Sequence, residues 1–318
     1  MKIVKSVQPG SEAKFIVSKD GISWYLINEL LPEKRFHNII QILEYNINNP
    51  NQLSTYISTG NFETTNLNDM ELTLPFQPLS YRDFMLYEKH CINASRGFVK
   101  KYLPKLLPIV KIYEKITGKV FPKLKPKSRW YSHPIYYVGN HLTFITDNEP
   151  VSIPIYTNEL DYELELGVVL CKPLKNASAK EAENAIGGFV VFNDFSARDV
   201  QISEMESGFG PMKSKNFVNS ISKIIVTADE ILPVIEDLKV QVKINNKSII
   251  KTKTGKMDYS IPEAIAYASL EEQLYPGEFF GSGTIPGCSG IENEHLLNSG
   301  DTITLEIENI GKLQNRIL

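Results

Sequence analysis

Short apolar runs and one helical period describe the first part of the chain, residues 1–72. The β-like runs cover residues 3–7, 15–18 and 23–28, and residues 33–46 place Phe36, Ile39, Ile40 and Leu43 at helical spacing. This pattern predicts a small α+β module. Residues 73–80 hold two prolines and no amphipathic period, which is typical of a connection between domains. We therefore predict an N-terminal domain over residues 1–75 and a second domain over residues 76–318.

Residues 81–101 have the pattern of an amphipathic helix. Ser80 is a suitable N-cap, and the apolar residues Phe84, Tyr87, Cys91 and Phe98 fall on or near one face. On such a helix Asp83 and His90 share a face, because seven residues make nearly two turns, about 10 Å along the axis. One of these two side chains could then bind a metal while the other acts on a substrate beside it.

From residue 131 onward the pattern changes to strands and turns. Alternating or apolar runs cover residues 160–168, 189–192, 238–250 and 302–307, with a turn signal at Asn245-Asn246. One clear helix is predicted near residues 178–186, where Ser178 and Glu181 form a capping box. The chain therefore predicts an α+β, β-rich fold whose second domain has few helices and no βαβ series.

The composition of the chain limits the classes of partner that we expect it to bind. The 318 residues include 34 Lys+Arg and 37 Asp+Glu, and the net charge of −3 leaves no basic excess for nucleic acid. No apolar run reaches about 18 residues and no signal-peptide pattern opens the chain, so we expect no membrane partner and no secretion. The three cysteines, Cys91, Cys171 and Cys288, form no C-x-x-C pair, which favours a reducing cytoplasm. P-loop, zincin and serine-hydrolase motifs are absent from the sequence.

Three carboxylates alternate along the strand predicted at residues 160–168. Asp161, Glu163 and Glu165 would project from one face, where like charges repel unless a cation lies between them. A solvated outer face of an antiparallel sheet would show the same alternation. Asp194 follows the next apolar strand, a position that suits a ligand and equally a helix cap.

Five segments then occur in an informative order. They are the seven-residue step from Asp83 to His90, the D-x-E-x-E of residues 161–165, the Asn-Asp-Phe-Ser-Ala-Arg-Asp of residues 193–199, the Lys-Ser-Lys-Asn-Phe of residues 213–217 and the Gly-Ser-Gly-Thr-Ile of residues 281–285. Together they resemble the fumarylacetoacetate hydrolase family over residues 75–318. The resemblance implies a catalytic domain with a mixed β-roll core, a homodimer, and a divalent metal, Mg²⁺ or sometimes Ca²⁺ or Mn²⁺.

The resemblance also assigns metal ligands. They are Asp83, Glu163, Glu165 and Asp194, while Asp161 stands outside the ligand set. A set of oxygen ligands without cysteine or histidine agrees independently with Mg²⁺ or Ca²⁺ rather than zinc.

By the same resemblance His90 is the general base, Glu292 orients it, and Lys215 is the catalytic lysine. An imidazole suits proton abstraction near neutral pH, although a buried structural histidine is the alternative. Lys213 lies two residues from Lys215, which we prefer because it precedes the Asn-Phe step. The expected substrate contacts are Arg198, Gln201, Tyr137 and Thr284, and Arg96 is either a further contact or a solvated arginine.

The predicted activity is hydrolytic cleavage of a carbon–carbon bond in a 1,3-dicarbonyl acid, such as an acylpyruvate or fumarylacetoacetate. Decarboxylation of a β-keto acid and keto–enol isomerisation are the nearest alternatives, because they need an enolate stabiliser but no hydrolytic water. A family member that binds metal and ligand without turnover is a further alternative. Met85 and Met205 stand where the fumarylacetoacetate enzymes carry aromatic residues, so we expect a more apolar pocket and a larger or more hydrophobic acyl chain.

Overall fold

The computed structural model describes residues 1–8 and 10–318. Its strands are β1 (Lys2–Ser6), β2 (Lys14–Ser18), β3 (Tyr25–Leu26), β4 (Tyr81–Phe84), β5 (Tyr136–Val138), β6 (Phe144–Thr146), β7 (Leu160–Asp161), β8 (Leu164–Leu170), β9 (Ile186–Asn193), β10 (Ser196–Ala197), β11 (Asn219–Ile221), β12 (Ile225–Thr227), β13 (Lys239–Ile244), β14 (Lys247–Lys253), β15 (Phe279–Gly281), β16 (Thr302–Ile307) and β17 (Gly311–Arg316). Its helices are α1 (Ile27–Leu30), α2 (Ile39–Asn48), α3 (Gln52–Thr59), α4 (Glu88–Tyr102), α5 (Leu107–Thr117), α6 (Ala179–Glu183), α7 (Arg198–Glu206), α8 (Ala228–Ile231), α9 (Ile261–Ala268) and α10 (Gly290–Asn293).

Most strands belong to one large mixed sheet. Its order is β3-β2-β1-β12-β9-β8-β15-β4-β5, and β11 pairs with both β9 and β6 beside this path. β15 pairs parallel with β4 and antiparallel with β8. Every residue of β8 and β9 is buried, as expected for apolar runs at the centre of a covered sheet. The mixed sheet with its surrounding helices confirms the predicted α+β, β-rich fold class.

The N-terminal strands extend the large sheet. β1 pairs antiparallel with β12. One apolar core contains Ile42 and Leu43 of α2 together with Val169 of β8 and Phe192 of β9. Burial of these side chains therefore stabilises the N-terminal segment and the large sheet together. The domain boundary at residue 75 stays a prediction.

A second sheet has the order β14-β13-β16-β17. Asn245 and Asn246 join β13 to β14 with φ values of 52° and 63°, the left-handed conformation that a two-residue hairpin turn requires. The predicted turn is therefore confirmed. The strand predicted at residues 302–307 coincides with β16.

The structure contradicts the helix predicted over residues 81–101. Strand β4 occupies the start of this range, and α4 begins only at Glu88. Asp83 and His90 therefore do not share a helix face. β4 pairs with β15 and with β5. Both strands lie far from β4 in the chain, so the spacing of neighbouring residues could not predict these pairings. Ser80 donates to Oε2 of Glu278 and caps no helix.

The remaining helices agree in part with the prediction. The capping box of Ser178 and Glu181 is present and starts α6. The expectation of one clear helix after residue 131 is wrong, because α7 and α9 also form there. A second capping box, Ser260 with Glu263, begins α9 and was available in the sequence. None of the helices in the described ranges combines the length and the hydropathy that a membrane crossing requires.

Candidate active site

Three carboxylates converge where β4, β8 and the end of β9 meet. One oxygen from each of Asp83, Glu165 and Asp194 lies within 4.8 Å of the other two. Asp83 belongs to β4, Glu165 belongs to β8, and Asp194 directly follows β9. All three side chains are buried. We refer to these residues as the carboxylate triad.

Gly281 of β15 provides the space in which the triad meets. It stands opposite Asp83 on one neighbouring strand and Gly167 on the other. A Cβ atom at position 281 would lie 2.2 Å from Oδ1 of Asp83 and 2.7 Å from Oε2 of Glu165. The positions of these two carboxylates therefore require a residue without a side chain at position 281.

Burial and mutual repulsion disfavour the charged form of the triad. Burial first, and then the charge of Asp194, raise the pKa of Asp83 well above its ordinary value. Burial first, and then the charges of Asp83 and Asp194, raise the pKa of Glu165 in the same way. Burial also raises the pKa of Asp194 to about 6, although Lys215 opposes this shift. A positive charge among these groups would relieve the repulsion.

The triad fits a hard divalent cation. Oδ1 of Asp83 and Oδ1 of Asp194 are buried without a hydrogen-bond partner among the described residues. Buried carboxylate oxygens in this condition are unfavourable unless a cation or another donor satisfies them. Because all the candidate ligand atoms are carboxylate oxygens, the set suits Mg²⁺, Ca²⁺ or Mn²⁺.

Glu163, the fourth predicted ligand, lies between two buried cations. Nζ of Lys215 donates to Oε2 of Glu163 and also to Oδ2 of Asp194. Nη2 of Arg198 donates to Oε1 of Glu163 at 2.6 Å. Burial of Glu163 acts in the opposite direction, but Arg198 and Lys215 hold the pKa of Glu163 below its ordinary value. Glu163 is therefore an ion-pair partner beside the triad, and its role as a metal ligand stays a prediction.

Asp161 contacts Arg198 and a backbone turn. Its Oδ2 accepts from Nε of Arg198 at 2.7 Å and from the N–H of Ile291 at 2.9 Å. Its Oδ1 accepts from the N–H of Gly290 at 2.6 Å. The strand predicted over residues 160–168 is interrupted between β7 and β8. Asp161 and Glu163 both accept from Arg198, whereas Glu165 belongs to the triad. Asp161 lies outside the triad, and it fixes the guanidinium that neutralises the neighbouring glutamate.

Of the two candidate lysines, Lys215 is the buried one. Lys213 is exposed, with its Nζ 5.4 Å from the ring centroid of Tyr156. Burial of Lys215 opposes its charge, but Asp194 and Glu163 raise the pKa of this lysine above its ordinary value. Lys215 therefore stays protonated and supplies a fixed positive charge next to the triad.

His90 and Glu292 form a buried pair close to Glu163. Nδ1 of His90 lies 3.0 Å from Oε2 of Glu292, and Nε2 lies 3.9 Å from Oε1 of Glu163. Burial opposes protonation of the ring, but the charges of Glu292 and Glu163 raise the pKa of His90 above its ordinary value. The backbone N–H of Gly287 and the hydroxyl of Ser289 donate to Glu292 at 2.9 and 2.8 Å. The carboxylate is therefore held in place, as an orienting group requires.

Two predicted substrate contacts lie on the triad itself. The hydroxyl of Tyr137 donates to Oδ2 of Asp194 at 2.8 Å. The hydroxyl of Thr284 donates to Oε1 of Glu165 at 3.5 Å. Both side chains are placed to order the carboxylates, and their contact with substrate stays a prediction.

The other predicted substrate contacts are separated in space. Gln201 accepts from Nη1 of Arg198 at 2.8 Å, so it belongs to the charged network beside the triad. Arg96 instead forms an ion pair with Glu114 of α5 at 2.6 Å. The side chain of Arg96 is 41% exposed, which agrees with the alternative of a solvated arginine.

Tyr81 was not singled out by the sequence motifs. Its hydroxyl lies 3.0 Å from the hydroxyl of Tyr137, which in turn donates to Asp194. Tyr81 is fully buried. The 56 residues that separate the two tyrosines leave no local signal of this contact.

The sequence motifs and this geometry agree with a known family. A model of the fumarylacetoacetate hydrolase C-terminal domain matches residues 113–318, which is more than half of the chain. The chain belongs to the fumarylacetoacetate hydrolase family. The predicted family is therefore confirmed.

Two relatives illustrate the similarity in sequence. An uncharacterised protein of Pyrococcus abyssi is 30% identical over 187 residues, which are 58% of this chain and 80% of that protein. The mitochondrial oxaloacetate tautomerase of Homo sapiens is 28% identical over 174 residues, which are 55% of this chain and 79% of that protein.

Solved structures share the fold over the whole chain. The 5-carboxymethyl-2-hydroxymuconate delta-isomerase from Mycobacterium smegmatis covers 100% of this chain and 99% of its own, with a TM-score of 0.66 and 19% identity. The maleylpyruvate hydrolase from Sphingobium sp. SYK-6 covers the same shares, with a TM-score of 0.67 and 16% identity. At these identities the likeness shows the fold alone.

Proposed function

We propose that this protein is a metal-dependent hydrolase that cleaves a carbon–carbon bond in a 1,3-dicarbonyl acid, of the acylpyruvate or fumarylacetoacetate type. The observation that carries the proposal is the His90–Glu292 pair, whose free ring nitrogen faces Glu163 beside the carboxylate triad. An enolate-stabilising site needs such a base when water is the nucleophile.

The triad is the proposed cation site. A divalent cation, Mg²⁺ in the first place and Ca²⁺ or Mn²⁺ as alternatives, would be held by Asp83, Glu165 and Asp194 and would supply Lewis-acid polarisation of the substrate carbonyl. Tyr137 and Thr284 hold two of these carboxylates in position through their hydroxyl groups. The missing side chain of Gly281 keeps the space between the strands open.

His90 is the proposed general base. A carboxylate only accepts hydrogen bonds, so Nδ1 of His90 carries the proton that Glu292 accepts, and Nε2 is the basic atom. Nε2 takes a proton from water as the water oxygen adds to the carbonyl carbon. The bond between that carbonyl carbon and its neighbour then breaks, and its electron pair forms an enolate. The protonated ring returns the proton to the carbon atom of the enolate. Glu292 stabilises the imidazolium between the two transfers.

Lys215 and Arg198 are the proposed source of positive charge for the oxyanions. Both are buried and paired with carboxylates, so their position is fixed before substrate arrives. Fixed charges in a buried site stabilise a developing oxyanion without reorganisation. Met85 and Met205 are exposed, and we infer that their apolar side chains contact an apolar acyl chain of the substrate.

Keto–enol tautomerisation is the second candidate. It is favoured by relatives named as oxaloacetate tautomerases, at 28% identity. Tautomerisation uses the same enolate stabilisation but needs no water as nucleophile. Decarboxylation of a β-keto acid would follow the same logic, and a member without turnover would show none of these reactions.

The test is a panel of acylpyruvates and fumarylacetoacetate, with and without Mg²⁺, together with oxaloacetate to follow enol–keto conversion and loss of CO₂. We expect Mg²⁺-dependent release of two acids from the wild-type protein, and its loss in His90→Ala at unchanged Mg²⁺ affinity. Full hydrolysis by His90→Ala with metal bound would refute the role of the base. Enol–keto conversion without hydrolysis would establish the tautomerase.

We also infer a cytoplasmic homodimer that binds no nucleic acid. The three cysteines are free and buried, which supports a reducing compartment. Sedimentation of the 36.0 kDa chain at micromolar concentration as a dimer is the expected result, and a monomer alone would refute the assembly.

A further inference from the structure

Residues 100–129 concentrate the positive charge of the protein. They contain nine lysines and one arginine against one acid, Glu114, in a chain whose net charge is −3. We refer to residues 100–129 as the basic segment. It includes the end of α4, all of α5 and the turns that follow. A local excess of this size creates a positive potential that the overall charge conceals.

Most of these cations have no acidic partner in the part of the chain that the structure describes. Lys100, Lys101 and Lys125 form ion pairs with Glu294, Glu159 and Glu88. The others have no carboxylate within 4.0 Å among residues 1–8 and 10–318, and they are Lys105, Lys111, Lys115, Lys119, Lys123, Lys127 and Arg129. All seven are exposed. The segment therefore presents positive charge that no ion pair within the described residues neutralises.

Helix α5 also exposes an apolar stripe. Ile109, Ile112 and Ile116 are 57%, 57% and 78% exposed, and their spacing places them along one side of the helix. Val110 is buried on the other side, so α5 packs by one face and leaves its isoleucines in solvent. Leu103 and Leu106 continue the exposed apolar surface before the helix begins. Five large apolar side chains exposed within fourteen residues of the chain indicate an interaction surface.

Lysines border this stripe. At about 100° per residue, Lys115 lies about 60° around the helix from Ile112, and Lys111 lies about 100° from it on the same side. Exposed isoleucines with lysines along one side are typical of a helix that lies in a membrane interface, with its apolar face in the acyl boundary and its cations at the headgroups.

We propose that the basic segment docks the protein on the surface of a bilayer that contains anionic phospholipids, with Ile109, Ile112 and Ile116 inserted at the interface. Charge complementarity selects this occupant, because the segment contains a single acid and seven cations that have no carboxylate partner within the described residues. A second copy of the chain would need an acidic surface around an apolar groove. Docking of this kind needs no spanning helix, so the expectation of no membrane partner, which rested on the absence of a spanning run, does not extend to it.

The test is co-sedimentation of the full-length protein with vesicles of phosphatidylcholine containing 30% phosphatidylglycerol, and with vesicles of phosphatidylcholine alone. We expect binding to the anionic vesicles that weakens as salt rises, and little binding to the neutral ones. The variant Lys111→Glu/Lys115→Glu should bind at least about tenfold more weakly, since each basic residue near the surface contributes about fivefold. Ile112→Gln/Ile116→Gln should weaken binding to a similar extent.

The matched control is Lys247→Glu/Lys251→Glu, which reverses the charge of two exposed lysines of β14 outside the basic segment. It should bind within about twofold of wild type. If the control and Lys111→Glu/Lys115→Glu lose vesicle affinity equally, binding depends only on the net charge of the protein, and the proposal is overturned. Failure of the wild-type protein to bind anionic vesicles would also overturn the proposal. If the protein instead forms a dimer that Ile112→Gln/Ile116→Gln abolishes, the stripe is an interface between two copies of the chain. The thermal unfolding of each variant shows that it is folded.

Discussion

Nδ1 of His90 lies 3.0 Å from Oε2 of Glu292, although 202 residues separate them in the chain. His90 is in the first turn of α4, and Glu292 is in α10. The hydrogen bond determines which ring nitrogen carries the proton, and therefore which nitrogen can accept one. The carboxylate also raises the pKa of the ring against the effect of burial. The orientation and the basicity of His90 thus depend on one distant residue.

Replacing Glu292 should change the pH dependence of hydrolysis. A general base acts in its neutral form, so activity rises as pH rises through the pKa of His90. Glu292 raises this pKa, so Glu292→Gln should move the acidic limb of kcat/KM to lower pH and reduce kcat by about 10²-fold or more. The measurement is the pH profile of kcat/KM. Glu294→Gln, which alters an exposed partner of Lys100, should leave the limb in place. An unshifted limb in Glu292→Gln would show that the pair has no catalytic function.

The triad should make the stability of the metal-free protein depend on pH. The pKa values of Asp83 and Glu165 are raised in the folded state, so their stabilising contribution is complete below the unfolded values, near 4. That contribution is lost as pH rises through the folded values. In EDTA the Tm should therefore fall as pH increases, and Mg²⁺ should restore it.

Asp83→Asn isolates this effect, because it removes one of the repelling charges. We expect a higher Tm in EDTA than wild type near pH 8, and no further rise with Mg²⁺. Asp237→Asn changes an exposed acid paired with Lys253 and should retain the Mg²⁺ response. Wild-type protein with the same Tm in EDTA and in Mg²⁺ would contradict the proposed cation site.

Sequence patterns predicted correctly those elements whose conformation depends on neighbouring residues in the chain. The bounds of β16 and the turn at Asn245-Asn246 depend on neighbouring residues, so alternation and turn composition were sufficient. Strand β4 depends on β15, which lies almost two hundred residues later. The helical spacing of Phe84, Tyr87 and Cys91 therefore predicted a helix where pairing with a distant strand forms a sheet.

The same distinction applies to the candidate site. Asp83, Glu165 and Asp194 were found because each belongs to a recognisable motif, and the fold then brings them together. The hydrogen bonds from Lys215 and Arg198 to Glu163 could not be read from spacing. An acidic residue in a motif does not reveal whether its carboxylate contacts a cationic side chain or a metal.

Gly281→Ala should reduce metal affinity more than any loss of stability would explain. Its Cβ would lie 2.2 Å from Oδ1 of Asp83 and 2.7 Å from Oε2 of Glu165, so both carboxylates must move apart. We expect at least about tenfold weaker Mg²⁺ binding by calorimetry, or about 1.4 kcal/mol. Gly187→Ala is the control, because its Cβ would lie 2.9 Å from Cβ of Cys171, away from the triad. That variant should lower Tm and keep the wild-type Mg²⁺ affinity; equal affinity in both variants would show that Gly281 is not needed for the site.

Lys215→Met should separate the buried lysine from its neighbour in the chain. The ammonium group lies between Glu163 and Asp194, and its removal leaves these carboxylates without that charge. Loss of one partner from a buried ion pair destabilises by about 3–5 kcal/mol, so the Tm in EDTA should fall steeply and Mg²⁺ should recover part of it. Hydrolysis should decrease by about 10²-fold or more, because the oxyanion loses a fixed charge. Lys213→Met removes an exposed lysine and should stay within about twofold of wild type in both measurements. The reverse outcome, a silent Lys215→Met and an inactive Lys213→Met, would transfer the catalytic assignment to Lys213.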